Sequence, residues 1–175
     1  MPENLISFSF NILIIGETCG GKTSIVEKYF SRHFSNRAHS SVYDDYTCLK
    51  LNNTKMGLRI HDAPGQDRFK PLILKSYCKT QDLLVFVYKI NNRSRIHDGS
   101  FEYAQNLIKE AKGYYNEKMH YALIGSCADR ENEREISKEE GEELARNEGM
   151  DFFMEVSAYN GTNIDNMFFE IAIIK

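Results

Sequence analysis

Residues 16–23 read Gly16-Glu17-Thr18-Cys19-Gly20-Gly21-Lys22-Thr23, and together with their flanks they decide how the chain folds. Before them runs Phe8 to Ile15, a mostly apolar stretch of the kind that forms a covered strand. After them, from Lys22 to about Phe34, Ile25, Val26, Tyr29 and Phe30 recur at helical spacing. The stretch fits G-x-x-x-x-G-K-[ST] in its required setting between a strand and a helix. Glycines let such a loop curl until its amides point inward around an anion, and the helix start adds its positive end. In that setting a lysine reaches the outer phosphates of a nucleotide, and a Ser or Thr hydroxyl can ligate Mg²⁺. The candidate nucleotide contacts are therefore Gly16, Thr18, Cys19, Gly20, Gly21, Lys22, Thr23 and Ser24, with Thr18 placed to crowd a terminal phosphate.

Outward from this loop, strand and helix patterns alternate. Tyr46 to Leu51 and Met56 to Ile60 predict two strands around Asn52-Asn53. Leu83 to Tyr88 is continuously apolar, and Phe101, Ala104, Leu107, Ile108 and Ala111 mark an amphipathic helix. Tyr121 to Ile124 and Phe152 to Val156 predict two further strands. Ser137 followed by Glu140 predicts a capping box, and Thr162 with Asp165 is expected to cap a last helix carrying Ile164, Met167, Phe168 and Ile171. No repeat or linker interrupts the pattern. The expectation is one α/β domain over residues 1–175, with a six-stranded, mostly parallel sheet, one antiparallel edge strand and about five helices. Ligands of such sheets bind beyond the carboxyl ends of the strands.

Composition narrows the function. The 175 residues are 42% hydrophobic and 27% charged, which is ordinary globular usage and long enough to bury a core. With 22 basic and 25 acidic residues, the chain lacks the basic excess of a nucleic-acid surface. The four cysteines, Cys19, Cys48, Cys78 and Cys127, form no C-x-x-C pair, so free thiols in a reducing compartment are expected. No apolar run approaches the roughly 20 residues of a membrane span, and Met1-Pro2-Glu3-Asn4 lacks a basic leader region. A soluble, cytoplasmic domain is the expectation.

The predicted third strand runs into Asp62-Ala63-Pro64-Gly65-Gln66-Asp67-Arg68-Phe69. Asp62 is a candidate to hold Mg²⁺ through water opposite Thr23, and the Gly65 amide to meet a terminal phosphate. Gln66 can orient an attacking water without titrating. The set G-x-x-x-x-G-K-T, D-x-x-G-Q, A-D and S-A resembles the small GTPases of the Ras superfamily. Gly65 to Phe69, with Tyr77, resembles the Rab branch most, and the likeness runs from Phe8 to about Ile174.

The resemblance implies a P-loop small G domain that binds GTP or GDP with Mg²⁺. Lys22 and Gln66 would be its catalytic residues, and Thr23, Ser41 and Asp62 its metal ligands, with Ser40 the competitor for Ser41. It further implies that Phe34 packs on the guanine face and that Asp129, Ser157 and Ala158 receive the base. Segments around 36–46 and 64–77 would be switch regions that meet effector, exchange-factor and GTPase-activating proteins. Arg37 defaults to a solvated charge, and Tyr43, Phe69, Leu72 and Tyr77 are candidates for a partner-facing patch.

The chain departs from that family on the base side. Where N-K-x-D is usual it has Ser126-Cys127-Ala128-Asp129, and the last S-A-K motif reads Ser157-Ala158-Tyr159. The expectation is weak, Mg²⁺-dependent binding that prefers GTP or GDP over ATP, with slow intrinsic hydrolysis and a role in vesicle traffic. The alternative is a nucleotide-free pseudo-GTPase serving as a constitutive interaction module, and a P-loop ATPase or kinase ranks below both. Ile174-Lys175 ends the sequence without a cysteine for prenylation, so attachment to endomembranes is expected only through a removed tail that carries lipid.

Overall fold

The computed structural model describes residues 8–31, 43–51, 54–65, 70–77, 80–93, 99–114 and 118–174. In chain order the elements are β1 (Phe8–Gly16), α1 (Lys22–Ser31), β2 (Tyr43–Leu51), β3 (Thr54–Asp62), α2 (Lys70–Tyr77), β4 (Leu83–Lys89), α3 (Ser100–Lys112), β5 (His120–Ser126), a short 3₁₀ turn (Glu131–Glu133), α4 (Lys138–Asn147), β6 (Phe152–Glu155) and α5 (Ile164–Ile173). The strands form one six-stranded sheet in the order β2-β3-β1-β4-β5-β6. All neighbours are parallel except β2 and β3, which pair antiparallel from Tyr43↔Asp62 to Leu51↔Thr54. The expected architecture, with its single antiparallel edge strand, is the observed one.

Side chains alternate between the two faces of each strand, so one strand feeds two cores. From β1, Phe10, Ile12 and Ile14 meet Ile25 and Val26 of α1 and Met167, Phe168 and Ile171 of α5. Leu13 and Ile15 instead join Ile73 and Leu74 of α2, Leu107 and Ile108 of α3, and Leu144 of α4. Every residue from Leu83 to Tyr88 is fully buried, as its unbroken apolar run predicts. Each large aliphatic side chain so covered contributes about 1.5–3 kcal/mol. Phe168 also stacks on Tyr29 at 3.8 Å, which joins α5 to α1.

Local signals fared differently. The Ser137 capping box is formed, with Glu140 N–H donating to Ser137 Oγ at 3.1 Å and Ser137 N–H to Glu140 Oε2 at 2.9 Å. Thr162 does not cap α5: its amide and hydroxyl both donate to Asn160 Oδ1, at 2.9 and 2.7 Å. The chain enters α5 through Asn163 at φ 58°, whose side-chain amide donates to Glu155 O at 2.8 Å. Residues 64–77, expected as a switch loop, contain α2. Lys70 at its start reaches α3, 2.8 Å from Glu110 Oε1 and 5.1 Å over the Tyr103 ring. Among the described residues no helix is long and apolar enough to cross a membrane.

Candidate functional site

Strand order puts the site where the carboxyl ends of β1, β3 and β5 converge. The chain leaves β1 at Gly16, where a Cβ would lie 2.3 Å from the Val87 carbonyl of β4, so only glycine fits. The loop then turns through Cys19 at φ 60° and closes with the Gly20 amide donating to Glu17 O at 3.1 Å. The Ile25 amide donates to Gly21 O at 3.0 Å, so the amides before it, those of Thr23 and Ser24 among them, stand at the open start of α1. No acidic side chain occupies that first turn.

Lys22 is 5% exposed, and its ammonium donates to Gly16 O at 3.0 Å and Glu17 O at 2.8 Å. The side chain therefore lies back across the loop it follows, its charge buried against two of the loop's carbonyls. Burial lowers its pKa, while the charges of Asp62, Cys19 and Glu17 act in the opposite sense. The Thr23 hydroxyl donates to Asp62 Oδ2, and Asp62 itself is buried at the end of β3. A hydroxyl and a carboxylate in direct contact are hard oxygen donors, the set that suits Mg²⁺ completed by water and phosphate oxygens.

Past Asp62, the Ala63 amide donates to Ile14 O at 3.1 Å and draws this segment against β1. Gly65 then lies directly on the phosphate loop: a Cβ there would stand 2.4 Å from Thr18 N and 2.7 Å from Glu17 O. Those atoms are backbone and cannot yield, so glycine is required by contact.

The opposite wall comes from the loops after β5 and β6. Buried Ser126 donates its hydroxyl to Gly20 O at 2.7 Å, fastening this wall to the phosphate loop. The sequence shows only that an asparagine is missing at this position. That the serine hydroxyl makes this tie could not be read from it, because the bond joins residues 106 positions apart. Cys127 follows at φ 64°, and the Ala128 amide donates to Val156 O at 3.0 Å. Asp129 is exposed at the rim, yet one oxygen accepts the Ser157 hydroxyl at 2.5 Å.

Ser157 acts differently from its sequence-based role. Its amide, expected to face a base carbonyl, donates to Thr162 O at 3.0 Å. Its buried hydroxyl instead orients Asp129. The structure thus brings together Gly16 to Ser24, Asp62 and Gly65 on one side, and Asp129, Ser157 and Ala158 on the other. Phe34, Arg37, Ser40, Ser41, Gln66 and Phe69 lie outside the described residues. Of the remaining patch candidates, Tyr43 falls in β2 and Leu72 and Tyr77 fall in α2.

Comparison with known proteins agrees with this layout. A family model described as the Ras family matches residues 11–174. The Ras-related protein Rab-13 of Bos taurus is 31% identical over 165 residues, covering 93% of this chain and 78% of the relative. Rab-13 of Canis lupus familiaris is 32% identical over 165 residues with the same coverage, 93% and 78%. Rab-8B of Pongo abelii is 29% identical over 167 residues, covering 94% and 77%.

Proposed function

This chain belongs to the Ras family as a Rab-like small GTPase, and on that premise we propose that it is a GTP/GDP switch with weakened nucleotide affinity and slow intrinsic hydrolysis, acting in vesicle traffic. The observation that carries the proposal is the phosphate side of the site, where buried Lys22 crosses its loop and the Thr23 hydroxyl meets Asp62. Lys22 would exchange its two carbonyl partners for the β- and γ-phosphate oxygens. The loop amides and the start of α1 would surround the remaining charge. Thr23, Asp62 and Ser41 would hold Mg²⁺, which would supply neutralisation of the phosphate charge.

Hydrolysis in this site is positioning and electrostatic stabilisation rather than covalent chemistry. Gln66 would orient the water. Thr18 would set a side chain beside a terminal phosphate, and crowding there would slow turnover. An activating protein supplying an arginine would accelerate it, and effectors and exchange factors would meet the segments 36–46 and 64–77.

On the base side, Asp129 held by Ser157 can accept two hydrogen bonds from a guanine edge, for which adenine has no matching donors. The absent Asn and Lys side chains remove contacts worth about 1–3 kcal/mol each, five- to more than a hundredfold in affinity. A second reading, a pseudo-GTPase that binds partners constitutively, is favoured by the absence of the Asn and Lys at positions 126 and 127 and of the last Lys at position 159. By family likeness the protein would act at the cytoplasmic surface of endomembranes.

The test is a titration of nucleotide-stripped protein with fluorescent GDP, with and without Mg²⁺, competed by GTP, ATP and GMP. Micromolar or tighter Mg²⁺-dependent binding, competed by GTP and not by ATP, is expected. Absence of binding at high micromolar protein overturns the switch and leaves the constitutive module.

A further inference from the structure

We propose that Arg134 is a positioning residue for base selection, bracing at a second point the two loops that carry Asp129 and Ser157. The inference rests on the nucleotide-binding function above and specifies how its base side is held. All five guanidinium N–H groups find an acceptor. Nε donates to Glu131 Oε1 at 2.8 Å and Nη2 to Glu131 Oε2 at 2.7 Å. Nη1 and Nη2 donate to Glu155 Oε1 and Oε2 at 2.7 and 2.8 Å, and Nη1 also to Ile136 O at 2.9 Å. A guanidinium forked onto two carboxylates fixes direction as well as charge, which a lysine ammonium does not.

The two carboxylates belong to the two loops. Glu131 lies two residues after Asp129, and Glu155 lies two residues before Ser157. The loops also meet where the Ser157 hydroxyl donates to Asp129 at 2.5 Å. Asp129, Glu131, Arg134, Glu155 and Ser157 thus close a ring, bonded across at two places, and neither loop can turn without straining both bonds.

The Glu155 arm is the fixed post of this ring. The Arg134 and Glu155 side chains are 18% and 11% exposed, against 66% for Glu131. Glu155 pairs with Gly125 in the register of β5 and β6, and a Cβ on Gly125 would stand 3.1 Å from Glu155 Cγ. The Glu155 carbonyl accepts the Asn163 side-chain amide at 2.8 Å, at the entry to α5. Charged hydrogen bonds removed from water are stronger and hold their geometry better than exposed ones. With no Asn or Lys at positions 126 and 127, the direction of the Asp129 carboxylate governs how well it meets both the N1–H and the 2-amine of guanine.

Two variants divide the brace: Arg134→Met removes all of it, and Glu131→Ala removes only the exposed arm. These and the parent chain are titrated with GDP, with inosine diphosphate, which lacks the 2-amine, and with inorganic pyrophosphate. The parent should prefer GDP over inosine diphosphate by about ten- to a hundredfold. Glu131→Ala is expected to cut that preference by about two- to fivefold and Arg134→Met to remove most of it, with pyrophosphate affinity unchanged in both. If Arg134→Met does not fold, Glu131→Ala decides alone. An unchanged preference in Glu131→Ala and in folded Arg134→Met overturns the positioning role and leaves the guanine switch standing. Equal weakening of all three ligands also overturns it, since the substitution would then act through the whole fold. A parent that binds none of the three, or pyrophosphate alone, overturns the positioning role together with the guanine switch. A parent that binds GDP and inosine diphosphate alike overturns it together with base selection by Asp129.

Discussion

The phosphate loop after β1 and the base loop after β5 lie side by side, tied by the Ser126 hydroxyl, yet they differ in what they present. The phosphate loop has the charged and hydroxyl side chains of its motif: Lys22 is buried across its own carbonyls, and Thr23 touches Asp62. The base loop lacks the Asn and Lys usual there, but it is held firmly by its own bonds. Cys127 holds a left-handed backbone, Ser126 holds the tie to Gly20, and Ser157 holds Asp129, although Asn and Lys are gone. Each buried polar atom must find a partner, and the hydroxyls of Ser126 and Ser157 find theirs in Gly20 O and Asp129.

The largest expected effect bears on the phosphate side. Lys22→Ala removes the cation and strands two loop carbonyls, and GDP affinity should fall by at least a hundredfold in the fluorescent titration. A loss below tenfold would mean that the better preserved loop is not the one that binds.

Asp129→Asn probes what remains of base selection. It exchanges an acceptor for a donor, so GDP should weaken by about ten- to a hundredfold while xanthosine diphosphate, with a carbonyl where guanine has an amine, gains. Competition with both diphosphates reads the crossover, and equal weakening would show that Asp129 chooses nothing.

Ser126→Ala tests the tie itself. Removing a buried donor leaves Gly20 O without it, at about 1–2 kcal/mol, and GDP dissociation measured by stopped flow should quicken by about five- to thirtyfold. An unchanged rate would make the two loops independent.

The smallest effect is on stability. Cys19 pays for a left-handed backbone that glycine adopts freely, so Cys19→Gly should raise the Tm by about 2–4 °C in a thermal melt without added nucleotide. A fall would place the strain elsewhere.

Much of this architecture is legible in the amino-acid order because it is written locally. The run ending at Gly16, the apolar stretch Leu83 to Tyr88 and the Ser137–Glu140 box each carry their own signal within a few residues. Where the sequence misleads, a local cue loses to a contact. Thr162 carries a capping residue's hydroxyl, but Asn163 takes the left-handed entry to α5 and Asn160 takes that hydroxyl. The second switch segment hides α2 because eight residues beginning Lys70-Pro71 offer too short a period to stand out. On the site, glycines and charged groups identify the phosphate loop, whereas the roles of Ser126 and Ser157 depend on partners far away in the chain.

The bond between Ser126 and Gly20 also has a bearing on the order of folding. It closes a loop of 106 residues and spans from β1 across β4 to β5. The entropy of closing so long a loop must be met first by the strands between them, and contacts of such separation form slowly. A competent pocket therefore belongs to the last stage of assembly. Nucleotide capture during refolding would be a stricter report of completion than the recovery of secondary structure, lagging behind it by the time the two loops take to meet.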